Sequence, residues 1–278
     1  MNLQKAFFRI GEIGFLAATS YLLATSAASA VTLRVTIENL SPQNGTLLTP
    51  LWFGFHDGNF DIYNRDESLD LFPGTESLVE DGATEQIADR FNNEGFGTIQ
   101  GTILGLQGAN VNPIDIGETA SFIVEVDPTL PENRFFSYAS MVIPSNDAFI
   151  ANGNPTAHPI FDDFGNFIGA DFIELGEDIL DGGTEVNDEL PVNTAFFGQT
   201  TPNTGVDENG VVVSHPGFNP VGSGGILDAP PFANADFTAE NYLVANIFVE
   251  QIPEPLTILG SIFVGSGLLL KRRHSIKK

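Results

Sequence analysis

Hydrophobic and polar residues alternate in several short stretches of this chain, the first of them near residue 31. Val31, Leu33, Val35 and Ile37 alternate with polar or charged side chains, Thr36 among them. A period of two indicates a β-strand with one buried face and one exposed face. We therefore predict that the four apolar side chains face the core and that Thr36 faces solvent.

The same pattern recurs later in the chain. Residues 118–127 and 241–250 alternate in the same way, and residues 133–143 form a continuous apolar run typical of a central strand. In the first of these segments, one face is predicted to carry Ala120, Phe122, Val124 and Val126. Strands of this kind, separated by turn residues, predict a single antiparallel β-sandwich.

Three other segments complete the predicted architecture. Residues 159–175 suggest a hairpin folded about Gly165. Residues 190–235 are rich in Pro, Gly and Asn and predict long surface loops. Only residues 75–91 suggest a helix, which Gly82 limits to short pieces. The fold class is thus all-β, with short helical segments and long loops.

The first thirty residues have the pattern of a secretory signal peptide. Lys5 and Arg9 precede an apolar run at residues 13–24, and an A-x-A cleavage site follows at residues 28–30. The alternative is an N-terminal membrane anchor that stays uncleaved. In both cases we expect the body of the chain to be exported.

Charge and cysteine content narrow the classes of function. Residues 31–255 contain four arginines, no lysine and 35 carboxylates, which leaves a formal net charge of −31. Such a charge repels nucleic acid and favours cations, so we exclude a nucleic-acid-binding protein. The chain has no cysteine and therefore neither a disulfide bond nor a thiolate nucleophile.

Few residues suggest catalysis. The sequence lacks G-x-S-x-G, H-E-x-x-H and Walker motifs. His56, His158 and His215 would be metal ligands if they converged, although single histidines beside turns are more often hydrogen-bonded loop residues. Because any two of the many carboxylates can meet in space, a hydrolase acting on surface glycans is the alternative function.

Calcium is the better candidate ligand, because it takes its oxygens from carboxylates, carbonyls and amides in turns. Asp57, Asn59 and Asp61 have the spacing of an EF-hand loop. However, Ile62 stands where that loop needs glycine, and Ser68 stands where it needs glutamate. We therefore predict an ordinary turn there.

Residues 178–190 are a richer candidate. Their acids and amide surround Gly182 and Gly183 and comprise Asp178, Asp181, Glu185, Asn187, Asp188 and Glu189. So many like charges repel one another unless a cation lies among them. A solvated acidic loop is the alternative.

Several sequence blocks form a recognisable pattern. The most specific are SMVIPSNDAFIANGNP, PIFDDFGNFIGADF and ELGEDILDGGTEVNDE, and LTPLWFGFHDGNFDIYNRDES, LVEDGATEQI and VVSHPGF accompany them. Together they resemble the bacterial form of the spondin domain, the module at the N-terminal side of animal F-spondin and mindin. The resemblance covers residues 31–251 and implies a β-sandwich similar to C2 domains.

The resemblance also implies a metal site. Animal spondin domains hold a calcium ion with the aspartate of a P-S-x-D block and two acids of a D-x-G-T-[DE] block. Carried over to this chain, the ligands are Asp147, Asp181 and Glu185. Gly182 replaces the usual alanine, and Ala148 replaces a tryptophan common in animal members. For this reason the resemblance does not imply adhesion to the partners of the animal proteins.

The tail, residues 252–278, has three parts. A Pro-Glu-Pro segment precedes fifteen uncharged residues and a basic cluster, and its marker residues are Pro253, Glu254, Pro255, Lys271, Arg272 and Arg273. As a helix, the uncharged part would span about 22 Å against ~30 Å of hydrocarbon. The tail resembles the PEP-CTERM sorting signal of Gram-negative bacteria, which implies transient inner-membrane anchoring and an exosortase-type protease as partner. A simple C-terminal anchor is the alternative.

The sequence thus predicts a signal peptide (1–30), a spondin domain (31–251) and a sorting tail (252–278). We expect a non-enzymatic protein that reaches the cell surface or the extracellular matrix. There its calcium-binding sandwich is expected to bind a surface polysaccharide or a matrix protein.

Overall fold

The structure, a computed structural model, describes residues 30–106 and 112–253. Within them the chain forms two antiparallel sheets and two short helices, α1 (Thr75–Asp81) and α2 (Glu85–Glu94), which confirms the predicted all-β sandwich. The strands are β1 (Val31–Asn39), β2 (Leu47–Leu48), β3 (Leu51–His56), β4 (Ile99–Ile103), β5 (Thr119–Val126), β6 (Phe135–Ile143), β7 (Ala148–Ala151), β8 (His158–Pro159), β9 (Ala170–Leu175), β10 (Leu180–Asp181), β11 (Val213–Ser214) and β12 (Leu243–Gln251).

The smaller sheet contains four strands in the order β5-β1-β12-β9. β1 lies in its interior, because β12 pairs with it on one side and β5 on the other. Leu33, Val35 and Ile37 are fully buried, and Val31 packs against the same core. The predicted inward face of the first strand is therefore confirmed.

Thr36 departs from the prediction. It alternates with the inward residues and so points to the outer face of the sheet, yet it is only 3% exposed. Its cross-strand neighbours Ser121 and Phe248 flank it on β5 and β12. A small side chain on an interior strand is covered by such neighbours, so alternation predicted its direction but not its exposure.

The larger sheet follows the path β11-β10-β7-β6-β3-β4, and β2 and β8 also pair with β6. β6 is thus the central strand that residues 133–143 predict. One face of this sheet packs against the smaller sheet, and the other packs against α1 and α2. On the helix side, the Trp52 ring lies 5.4 Å from Phe60 and 5.5 Å from Phe91. Because both faces are covered, all six residues of β3 are buried.

Two further predictions about local structure are confirmed. Gly82 ends α1 with a φ of 66°, a left-handed conformation that favours glycine. The helical segment is therefore divided where the sequence predicts. Residues 190–235 contain only β11 and two 3₁₀ turns, as expected for long loops.

The predicted hairpin about Gly165 is confirmed locally, since Phe161 and Phe167 form an antiparallel bridge on either side of it. A turn does form, and Asp162 N donates to Asn166 O at 3.0 Å. However, β8 pairs with β6 of the larger sheet, whereas β9 pairs with β12 of the smaller one. Phe161 and Phe167 both pack into the core between the sheets. The segment therefore folds back locally at Gly165, and its outer strands then continue into different sheets.

Both targeting predictions fall outside the described residues. Of the predicted signal peptide (1–30), only Ala30 is described. Of the predicted tail (252–278), only Ile252 and Pro253 are described. In the part of the chain that is described, no helix is long and apolar enough to cross a membrane.

Candidate functional site

The three predicted calcium ligands lie on segments that the larger sheet brings together. Asp147 directly precedes β7, Asp181 ends β10, and Glu185 follows in the next turn. β7 and β10 pair antiparallel, with Asp181 opposite Ala148. This pairing places Asp147 beside the turn at residues 182–185, although it lies far from that turn in sequence.

The Asp147 carboxylate holds this turn in place. Its Oδ2 accepts hydrogen bonds from Thr184 N at 2.8 Å, from Thr184 Oγ1 at 3.1 Å and from Glu185 N at 3.2 Å. In addition, Gly182 N donates to the backbone oxygen of Asp147 at 3.2 Å. One carboxylate oxygen is thus fully used in organising the loop.

The Asp181 carboxylate is also engaged. Gly183 N donates to its Oδ1 at 2.8 Å, and Asn187 Nδ2 donates to its Oδ2 at 2.6 Å. Gly183 has a φ of 64°, and a Cβ there would lie 2.6 Å from Val211 N. Only glycine therefore fits this turn without displacing the neighbouring backbone.

Within this cluster, two buried carboxylate oxygens make no hydrogen bond of normal geometry, namely Asp147 Oδ1 and Glu185 Oε2. The Asn146 side chain still acts on Glu185, whose pKa it lowers. Asp147 is 0% exposed and Glu185 is 2% exposed. The other oxygen of Glu185 accepts from Gly205 N at 2.9 Å. An unpartnered buried acceptor costs about 1–3 kcal/mol, and more when it is charged. These two oxygens therefore favour either a proton or a cation.

Burial raises the pKa of both acids. The pKa of Asp147 rises to about 7, because burial and the nearby Asp181 carboxylate outweigh the hydrogen bonds from Glu185 and Thr184. The pKa of Glu185 rises to about 6, mainly through burial; the bond from Gly205 lowers it and the charge of Asp81 raises it. Protons and cations therefore compete for this site near neutral pH.

No salt bridge reaches this cluster in the described part of the chain. The arginines make their side-chain contacts elsewhere: Arg34 with Glu250, Arg65 with Ser214, Arg90 with Glu94, and Arg134 with Asp163. Glu80 on α1 is a further acid beside the cluster. Burial raises its pKa to about 8, a hydrogen bond with Thr184 lowers it and the charge of Glu185 raises it, so this acid is mostly protonated at neutral pH. The cluster is thus rich in carboxyl groups and has no arginine partner in the described chain; its basic neighbour is His215, on whose ring the charge of Asp181 acts and which burial keeps neutral.

The fit to a metal ion is partial. Within residues 30–106 and 112–253, no three metal-binding side chains are arranged to hold an ion together. The donor chemistry still suits a hard cation, which binds carboxylate and carbonyl oxygens. Asp147 Oδ1 and Glu185 Oε2 are available, whereas Asp181 would have to share oxygens that already accept hydrogen bonds.

The three histidines occupy separate positions. His56 Nε2 is hydrogen-bonded to Ser137 Oγ at 2.8 Å, and the His158 ring stacks on Phe172 with centroids 4.0 Å apart. His215 directly follows β11, and the charge of Asp181 on the neighbouring β10 acts on its ring. Burial lowers the pKa of each ring to about 4, so all three are neutral at neutral pH. They do not form the common metal site that would need them to converge.

The segment with EF-hand-like spacing forms the predicted turn. Asn59 N donates to Asp57 Oδ1 at 3.0 Å, which closes a short loop without an ion. Arg90 Nη2 donates to the backbone oxygen of Asp61 at 2.5 Å. These contacts give the segment a role in packing α2 against the larger sheet.

One polar pair inside the sandwich was not predicted from the sequence. The Tyr138 hydroxyl on β6 donates to Glu174 Oε1 on β9, so the bond joins the two sheets. Glu174 is 8% exposed. Burial raises its pKa to about 7, while the Tyr138 hydroxyl lowers it and the charge of Asp178 raises it. The only sequence signal is the alternation of residues 170–175, which puts Glu174 on the same face as inward residues.

A cavity of about 610 Å³ is the second feature that sequence reasoning missed. It lies between the 3₁₀ turn Gly176–Asp178, the end of β11 and the loop that leads into β12. Its residues come from three distant parts of the chain, so only the folded structure could assemble them.

The fold and the site together define a class: an antiparallel two-sheet β-sandwich with an unbalanced cluster of buried carboxylates at one end of its larger sheet. A scan against protein-family models finds no match for this chain. A search of curated proteins finds no match either.

Proposed function

We propose that this chain is an exported, calcium-binding adhesion protein of the cell surface or extracellular matrix, built on a spondin domain and without enzymatic activity. One observation carries the proposal. Asp147 Oδ1 and Glu185 Oε2 are buried and make no hydrogen bond of normal geometry, in a cluster that no arginine of the described chain neutralises. A cation is the ligand that such oxygens favour.

In this proposal Asp147, Asp181 and Glu185 hold the ion, and backbone carbonyls and water complete its shell. Calcium supplies the positive charge that lets the carboxylates stay ionised while buried. The residues themselves join the end of β7 to the loop after β10, through the bonds that Asp147 accepts from Thr184 and Glu185. Neutralising their repulsion stiffens this end of the sandwich.

The location and the partners in this proposal rest on the sequence. The signal peptide directs export, and the tail at residues 252–278 directs sorting by an exosortase-type protease in the membrane. The ligand is a surface polysaccharide or a matrix protein. The formal net charge of −31 in the body disfavours nucleic acid as a partner.

The test is unfolding of the protein in saturating calcium and in chelator. At a calcium concentration ~100 times the dissociation constant, the free energy of unfolding of the wild type should rise by about 2.7 kcal/mol. Asp147→Asn and Glu185→Gln should lose most of this gain. In chelator, both variants should be at least as stable as the wild type, because each removes a buried charge with little change of shape.

The matched control is Asp171→Asn, which changes an exposed acid on β9. It should keep the full calcium gain. If calcium stabilises all four proteins equally, calcium does not bind at this cluster. Adhesion is tested separately, as calcium-dependent retention of the protein on extracellular matrix from the producing cells. Retention that chelator does not alter would contradict the proposal.

A further inference from the structure

The cavity beside the loop into β12 is lined by none of the proposed calcium ligands Asp147, Asp181 and Glu185, although the charge of Asp181 acts on His215 in its floor. Its volume of about 610 Å³ lies within the ~300–1,000 Å³ typical of small-molecule sites. The adhesion function proposed above does not depend on this cavity. The arrangement of the residues that line it therefore needs a separate functional explanation.

The walls of the cavity are tied together by backbone hydrogen bonds. Gly176 N donates to Tyr242 O at 2.9 Å, and His215 N donates to Ile179 O at 3.0 Å. A Cβ at position 176 would lie 1.9 Å from Phe237 O, so only glycine allows these two walls to approach. The cavity is thus formed in advance of any ligand, which lowers the entropy cost of binding.

The floor is made by the buried rings of His215, Phe237 and Tyr242. The His215 and Phe237 rings meet edge to face with centroids 5.1 Å apart. His215 Nδ1 accepts from Gly217 N at 3.0 Å, so the proton of the neutral ring lies on Nε2. That Nε2 is buried without an acceptor, and His215 is only 8% exposed. This donor has almost no accessible surface, so the floor offers a ligand mainly the surface of the three rings.

The rim carries exposed polar side chains from three segments, namely Glu177, Ser214, Thr238, Glu240 and Asn241. The carboxylates of these side chains accept hydrogen bonds, whereas their hydroxyls and their amide both donate and accept them. Arg65 Nη1 donates to Ser214 Oγ at 2.8 Å, which leaves the Ser214 hydroxyl proton free to bond outward. No lysine or arginine is among the residues that line the cavity, although Arg65 reaches its rim through Ser214, whereas two lining residues are glutamates. An anionic ligand is therefore disfavoured.

We propose that this cavity binds a neutral oligosaccharide, a ligand that offers hydroxyl donors for the carboxylates and oxygen acceptors for the amide and the rim hydroxyls, above a floor of aromatic rings. The inference deepens the adhesion function proposed above and rests on it, because it assigns that function a surface polysaccharide as ligand. A protein partner is less suited to a concave site with a polar rim.

The test is calorimetric titration of the full-length protein with trisaccharides. Cellotriose, maltotriose and mannotriose represent neutral glycans, and trigalacturonate represents an anionic one. At least one neutral trisaccharide should bind, and trigalacturonate should bind more weakly. Asn241→Gly and Glu240→Ala should each weaken binding about tenfold, the effect of losing ~1.4 kcal/mol.

Asn241→Gly is informative because Asn241 has a φ of 61°, which glycine also adopts, so the variant removes the amide without straining the loop. Asn203→Gly is its matched control, at an exposed position with a φ of 52° outside the cavity. It should leave the affinity unchanged. Binding that is equal in Asn241→Gly, in Glu240→Ala and in the wild type would overturn the proposal, as would tighter binding of trigalacturonate.

This experiment separates the two proposals. If no neutral trisaccharide binds while the calcium gain and the matrix retention are observed, the oligosaccharide site is refuted and the adhesion function stands. If the calcium gain and the calcium-dependent retention are both absent, the adhesion function is refuted whatever the trisaccharides do.

Discussion

The buried acid Glu174 gives the sharpest prediction about stability. Burial raises its pKa from an ordinary 4.5 to about 7. The folded state therefore binds this proton more tightly than the unfolded state, and stability is full below pH 4.5 and is lost as the pH rises through about 7. The difference of roughly 2.5 units, at ~1.4 kcal/mol per unit, amounts to about 3 kcal/mol.

Glu174→Gln imitates the protonated acid, since its amide oxygen can accept the hydrogen bond that Tyr138 donates. We expect the variant and the wild type to be equally stable near pH ~4.5. Near pH ~9 the variant should be more stable by about 3 kcal/mol, because it has no proton to lose. Urea unfolding across this pH range, with chelator present throughout, measures the difference.

Glu125→Gln is the matched control for this measurement. Glu125 also lies on an edge strand of the smaller sheet and accepts a hydroxyl bond, from Thr32 at 2.7 Å, but it is exposed. Its variant should follow the wild type at every pH. The reasoning is refuted if Glu174→Gln and the wild type lose stability in parallel as the pH rises, since Glu174 would then ionise in the fold without cost.

Three further outcomes are expected. Ile37→Ala should cost ~2–5 kcal/mol in urea unfolding because it empties a fully buried site, while Ile123→Ala, at an exposed position, should change stability by less than ~0.5 kcal/mol. Gly183→Ala should destabilise more than Gly95→Ala in the same assay, since both have left-handed φ but only Gly183 has backbone within 3 Å of the new Cβ. Intact-mass measurement of protein recovered from the surface should show loss of residues 256–278, and a complete C-terminus embedded in membrane would identify a permanent anchor instead.

The strands could be predicted from sequence because alternation reports which face of a strand is buried. Leu33 and Val35 are buried as the pattern predicts. Thr36 shows the limit of this signal, because its burial depends on the side chains of β5 and β12, which are far away in sequence. The turn about Gly165 shows another limit: local residues specify a turn, but the core decides which sheet each arm joins.

The candidate site could be predicted in part. The resemblance selected Asp147 and the acids of the following loop, and the structure places Asp147 in direct contact with Thr184 and Glu185. Sequence could not show that Asp147 Oδ1 and Glu185 Oε2 make no hydrogen bond of normal geometry, because that depends on every neighbour in the fold. The hydrogen bond between Tyr138 and Glu174 could not be predicted for the same reason, since it joins strands of different sheets.

The place of β12 between β1 and β9 has a mechanical consequence for the adhesion function that we propose. The proposed oligosaccharide cavity lies at the first end of β12, and the tail continues from its other end. Tension between a bound glycan and a tether would therefore run along nine residues of strand, about 30 Å. Ladder hydrogen bonds lie across the strand axis, so such a pull loads the bonds to both neighbours in shear and at the same time. Rupture would require both ladders to fail together, whereas the same force applied across an edge strand would open it one bond after another.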